Sequence, residues 1–107
     1  MDREIKEEIK KIIEQIKDKY KPKKIILFGS FAWGKPNKNS DIDLLIIKDT
    51  KKDYYQRIPE VRSLLHNIDR AFDILVMTQK EVAKRLKLGD FFIEDILKKG
   101  KVIYEAS

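Results

Sequence analysis

Ser40-Asp41-Ile42-Asp43-Leu44-Leu45-Ile46-Ile47 sets an unbroken apolar run behind two carboxylates. A short Leu- and Ile-rich run, preceded by the polar, turn-forming Lys35-Pro36-Asn37-Lys38-Asn39-Ser40, reads as a loop over 35–40 and a buried strand over 41–47. Asp43 is its anomaly. Along a strand, residues i and i+2 share a face, so Asp41 and Asp43 stand side by side, about 7 Å apart at their backbones, while Ile42 and Leu44 face the other way. Two like charges that close raise each other's proton affinity unless a cation sits between them. Carboxylate oxygens of this kind suit Mg2+, which takes one or two of them together with substrate phosphates. The pair reads as half of a metal site.

Working outward, Lys24-Ile25-Ile26-Leu27-Phe28 is a second buried strand, closed by Gly29 and followed by Ser30 and a helical turn over Phe31-Ala32-Trp33-Gly34. A glycine at that junction lets backbone N–H groups approach a phosphate, and Ser30 adds a hydroxyl. Downstream, Ala71-Phe72-Asp73-Ile74-Leu75-Val76 places another acid where a hydrophobe would be cheaper, in a strand over 72–77. If that strand lies beside Asp41 and Asp43, three acids converge on one or two divalent ions, an arrangement suited to phosphoryl or nucleotidyl transfer. Asp69 is a rival for the third position, although its place ahead of the apolar run suits a turn.

The remaining elements follow from periodicity. Ile5, Ile9, Ile12, Ile13 and Ile16 form a one-sided stripe, predicting a helix over 3–19 with Asp2 as its cap and Pro22 beyond its end. Ile58, Val61, Leu64 and Leu65 mark a middle helix within 53–66. Short helices are expected over 79–86 and 90–99, the second capped by Asp90 and stopped by Gly100, and Val102-Ile103-Tyr104 closes the chain as an edge strand. The expected fold class is α/β (α+β), a small mixed β-sheet with flanking helices, forming one domain over 1–107.

Composition narrows the function. The chain has 107 residues and no cysteine, which excludes disulfides and thiolate chemistry. No apolar run approaches the roughly 20 residues of a membrane span, and the charged N-terminal segment lacks a signal-peptide centre. A cytoplasmic protein with no membrane partner is expected. The net charge is +6, from 24 Lys and Arg against 18 Asp and Glu. It is dispersed, interleaved with acids as in Arg3-Glu4-Ile5-Lys6-Glu7-Glu8, with denser spots at Lys21 to Lys24, Lys35 to Lys38, and Lys98-Lys99 with Lys101. Such a pattern fits solvated helix faces better than a nucleic-acid stripe, so a nucleic-acid partner is not expected.

Gly29-Ser30, ten residues, then Asp41-Ile42-Asp43 resembles the GS-x10-D-x-D signature of the DNA polymerase β-like nucleotidyltransferase superfamily. Gly34, the Ser40 to Leu44 run and the Gly100-Lys101-Val102-Ile103-Tyr104 ending are similar to its short members, the minimal nucleotidyltransferases. The resemblance covers essentially the whole chain. It implies that Gly29 and Ser30 cradle a triphosphate, that Asp41 and Asp43 are ligands of two Mg2+ ions, and that Asp73 is the third ligand and helps activate the acceptor hydroxyl. One position departs from the pattern: where many relatives read Gly-Ser-x-Ala-Arg-Gly, this chain has Trp33, expected to pack against the neighbouring loop.

The resemblance further implies a Mg2+-dependent transfer of AMP from ATP to a hydroxyl, with tyrosine as the acceptor, on a HEPN-domain toxin that the protein opposes as an antitoxin. The alternative is a catalytically weak nucleotide-binding module that neutralises its partner by contact alone. A chain this short leaves little beyond a catalytic core, so a partner is expected to supply the acceptor. Self-association is compatible with either reading. His66 is assigned no catalytic role and is expected to face a helix C-terminus. Tyr54-Tyr55 and Phe91-Phe92 are expected in the core or at a protein interface.

Overall fold

The computed structural model describes all residues except 1, 2, 35 and 38. The expected cap Asp2 and part of the Lys35 to Lys38 spot therefore lie outside the described residues. The elements are α1 (Arg3–Ile16), β1 (Lys24–Phe28), α2 (Ser30–Trp33), β2 (Ile42–Ile47), α3 (Tyr54–Arg62), β3 (Phe72–Met77), α4 (Gln79–Lys87), α5 (Phe91–Lys99) and β4 (Lys101–Glu105). The four strands form one mixed sheet in the order β3-β2-β1-β4. β1 is antiparallel to both β2 and β4, whereas β2 and β3 run parallel, joined through α3. Among the described residues no helix is long and apolar enough to cross a membrane.

Alternation along the strands divides the core into two layers. Ile25, Leu27, Ile42, Leu44, Ile46, Ile74 and Val76 face one side, where the α1 stripe of Ile5, Ile9, Ile12 and Ile16 covers them together with Val61 of α3. Ile26, Phe28, Leu45, Ile47 and Met77 face the other side, beneath Val82 of α4 and Ile93 and Ile96 of α5. Each of these buried side chains contributes about 1.5–3 kcal/mol relative to exposure. Asp43 and Asp73 belong by parity to the second face, at its uncovered end.

Several boundaries differ from the pattern-based expectation. α1 stops at Ile16, not residue 19: its last buried stripe position is Ile16, and the chain turns so that Tyr20 is buried and Lys21 has a φ of 54°. α3 covers 54–62, inside the expected region 53–66 but shorter than it. Asp53 is its N-cap, in a capping box with Gln56, and Leu64 and Leu65 reach the core from the turn that follows. His66 thus lies beyond the helix end; its backbone exchanges hydrogen bonds with the Gln15 side chain at 2.9 and 3.0 Å. The aromatic pairs are not core residues: Tyr55 and Phe91 are 89% and 80% exposed. Asp90 does cap α5, accepting from the Phe92 and Ile93 N–H groups.

Candidate active site

β1 ends at Phe28, and Gly29 turns the chain into the four-residue helix α2. Gly29 adopts φ 76° and ψ −156°, a combination essentially confined to glycine. Its carbonyl accepts from the Ala32 and Trp33 N–H groups at 2.9 and 3.1 Å, so Ser30 heads α2. A Cβ on Gly29 would overlap the Asp43 carboxylate, whose Oδ2 occupies that space. Conformation and close approach therefore both demand glycine.

Across the sheet, Phe28 pairs with Asp43, and Asp43 stands in register with Asp73 on parallel β3. Asp41 lies just ahead of β2. Asp43 is half-buried, whereas Asp41 and Asp73 are exposed. Burial pushes the Asp43 carboxyl above its ordinary range, and the charges of Asp73 and then Asp41 push it further. Asp69 does not share this register; its N–H donates to the Glu8 carboxylate at 3.1 Å, tying the turn before β3 to α1.

Among the described residues no three acidic, His or Cys side chains are close enough to enclose a metal ion by themselves. The acids form a row across β2 and β3 rather than a cage. This donor set still fits a divalent ion of the Mg2+ type, which is held by a few carboxylate oxygens while substrate phosphates complete its shell. A cation there would also relieve the repulsion on Asp43.

Aromatic groups border the row. Phe28 stacks on Trp33, with ring centroids 6.3 Å apart and an interplanar angle of 27°, and meets Phe92 edge-on at 5.8 Å. Trp33 thus packs on the end of β1. Arg70, which the sequence pattern did not single out, donates to the Ser40 carbonyl at 3.1 Å and stands over the Phe31 ring of α2. With Asp41 it lines a cavity of about 700 Å3 that extends to Glu4, Glu8 and Lys11 of α1. The signal for Arg70 was its position just ahead of the strand carrying the third acid.

A model of the polymerase beta nucleotidyltransferase family matches residues 10–107. A Methanocaldococcus jannaschii protein, provisionally named a protein adenylyltransferase, is 35% identical over 98 residues, covering 90% of this chain and 94% of its own. A Sulfolobus solfataricus crystal structure, provisionally titled a nucleotidyltransferase, superposes with a TM-score of 0.67 at 20% identity, covering 95% of this chain and 83% of the other. A chain from a toxin–antitoxin structure with AMP-PNP gives 0.63 at 24% identity, covering 92% and 73%. These two structures share the fold of this chain.

Proposed function

Because the chain belongs to the polymerase beta nucleotidyltransferase family, we propose that it transfers AMP from ATP to a tyrosine hydroxyl of a HEPN-domain toxin and thereby acts as its antitoxin. The observation that carries this reading is the in-register placement of Asp43 and Asp73 beside the Gly29 turn. The curated relative named for protein adenylylation supports a protein as acceptor, and the toxin–antitoxin neighbour supports a toxin as partner.

In this reading Gly29 and Ser30 hold the β- and γ-phosphates where the chain enters α2. Asp41 and Asp43 would hold Mg2+, with Asp73 as the third ligand, and the ions would supply neutralisation of charge on the α-phosphate and on the leaving pyrophosphate. Asp73, exposed at the outer strand, accepts the proton of the acceptor hydroxyl. Asp43, fixed over Gly29, orients the α-phosphate relative to that hydroxyl. Positioning and electrostatics supply the catalysis, and no covalent enzyme intermediate is required.

Intact-mass measurement of a HEPN partner after incubation with the protein, ATP and Mg2+ tests the reading. A gain of one or more AMP units is expected with wild type and none with Asp43→Asn. No gain with wild type, together with intact binding of the partner, would replace transfer by neutralisation through contact.

A further inference from the structure

A second cavity, of about 240 Å3, opens on the same sheet face as Asp43 and Asp73, at the β3 edge. Its apolar surface comes from Leu75 and Met77 of β3 and Ile93 of α5, with the ring of Tyr54 on one side. Leu75 lies two residues beyond Asp73 on the same face, about 7 Å along the strand. Resting on the reading above, we infer that this cavity receives the aromatic ring of the acceptor side chain, a phenol whose hydroxyl then points back toward Asp73.

Strand order sets the direction of approach. In nucleotidyl transfer the attacking and leaving oxygens lie roughly in line through the α-phosphorus. The triphosphate cradle follows β1, and β1, β2 and β3 are consecutive in the sheet. Pyrophosphate held at Gly29 and Ser30 therefore leaves on the β1 side, and the acceptor oxygen must enter from the β3 side. On that side and on that face lies the cavity. The phenolic oxygen forms the new bond to the α-phosphorus. The bond from that phosphorus to its bridging oxygen breaks, with the electron pair departing on pyrophosphate, and the phenolic proton passes to the Asp73 carboxylate.

Size and charge specify the occupant. About 240 Å3 is below the roughly 300–1,000 Å3 of sites that enclose a whole small ligand, so the cavity suits a side chain rather than an entire nucleotide. Its charged wall groups are already matched within the chain. Glu81 accepts from Arg57 at 2.6 Å, and Arg85 faces Asp90 at 3.6 Å. A neutral ring fits a wall whose charges are paired, and the Leu75, Met77 and Ile93 surface favours an aromatic side chain over serine or threonine.

The chain contains two methionines, Met1 and Met77. Methyl-13C methionine labelling of the full chain therefore places one reporter in the cavity wall. Titration with N-acetyl-tyrosinamide should shift the Met77 methyl signal by ring current and leave Met1 unchanged, and N-acetyl-serinamide should shift neither. Leu75→Asp and, separately, Tyr54→Ala should each weaken that response at least threefold in folded protein, with affinity for an α,β-methylene analogue of ATP retained. An unmoved Met77 signal at tens of millimolar phenolic probe, an equal shift with the serine probe, or a Met77 shift produced by the ATP analogue alone would each overturn the assignment. A phenol-specific Met77 shift without AMP transfer to any HEPN partner would overturn the transferase reading and leave the cavity assignment standing. Normal transfer by Leu75→Asp at an unchanged KM for the partner would do the reverse.

Discussion

The Asp43 carboxylate fills the space that a Cβ on Gly29 would occupy, so the strand-to-helix turn and the central acid are packed as one unit. Gly29→Ala would force both a backbone conformation that costs on the order of 1–3 kcal/mol and a displacement of Asp43. The expected outcome is a melting temperature lowered by several degrees, at roughly 4–8 °C per kcal/mol for a domain near this size. AMP transfer should fall by at least about tenfold, equivalent to about 1.4 kcal/mol of barrier. Thermal unfolding and transfer rate measured on one preparation check both. A fully active Gly29→Ala protein would mean that the contact does not position Asp43 for the reaction.

Asp43 illustrates a site held at the expense of the fold. Its folded-state proton affinity is raised, first by burial and then by Asp73 and Asp41. For an acid shifted upward, the contribution to stability is most favourable below the ordinary carboxylate range and worsens as pH rises through the raised folded value. At pH 7 without a divalent cation, Asp43→Asn should therefore melt a few degrees higher than wild type while abolishing transfer. The difference between the two proteins should shrink toward pH 3, and Mg2+ should stabilise wild type more than the variant. Equal melting temperatures at pH 7 and pH 3 would remove the electrostatic account.

The parts of this arrangement legible in sequence were those written by local pattern. Short apolar runs bounded by turn residues located β1, β2 and β3, and an acid interrupting an apolar strand marked Asp43 and Asp73 as unusual. The adjacency of those two acids was not legible, because it depends on β2 and β3 pairing in parallel and in one register. Helix ends were misjudged where tertiary packing recruits apolar residues from turns. Leu64 and Leu65 extended the apparent stripe of α3, although they, like Tyr20 after α1, reach the core from outside a helix. Arg57 carried no signal at all: it is a buried cation whose partner, Glu81, lies on another helix.

The Arg57 pair predicts a separate acid sensitivity. Its side chain donates to Glu81 at 2.6 Å and to the Lys52 carbonyl at 2.9 Å, and that bond to Arg57 is the main reason the Glu81 carboxyl is held below its ordinary range. For an acid shifted downward, the contribution is present above the unfolded-state value of roughly 4.3 and is lost as pH falls through the lower folded value. Glu81→Gln should therefore destabilise the protein at pH 7 and approach wild type at pH 3. Because Glu81 is partly exposed, solvent screening limits the effect to about 1 kcal/mol or less. Arg57→Ala should cost more, about 1.5–3 kcal/mol, since it removes bonds made by a buried charged group. Urea unfolding of the three proteins at both pH values separates these contributions.

Trp33 stands where the Gly-Ser-x-Ala-Arg-Gly pattern leads one to expect arginine, and it is 43% exposed while stacked on Phe28. Trp33→Arg exchanges an aromatic contact of about 0.5–1.5 kcal/mol for a guanidinium beside the triphosphate cradle proposed at Gly29 and Ser30. The expected result is a slightly lower melting temperature with ATP bound several-fold more tightly, measured by calorimetry in the presence of Mg2+. That gain should diminish at high salt, because the added attraction to phosphate is electrostatic. If affinity does not change, Arg70 is the next position to alter, since it already stands over the Phe31 ring of α2 and bonds the Ser40 carbonyl ahead of Asp41. Arg70→Gln would then weaken ATP binding in wild type and in the Trp33→Arg protein alike, whereas a guanidinium at 33 that takes over phosphate contact would make the second protein insensitive to the change.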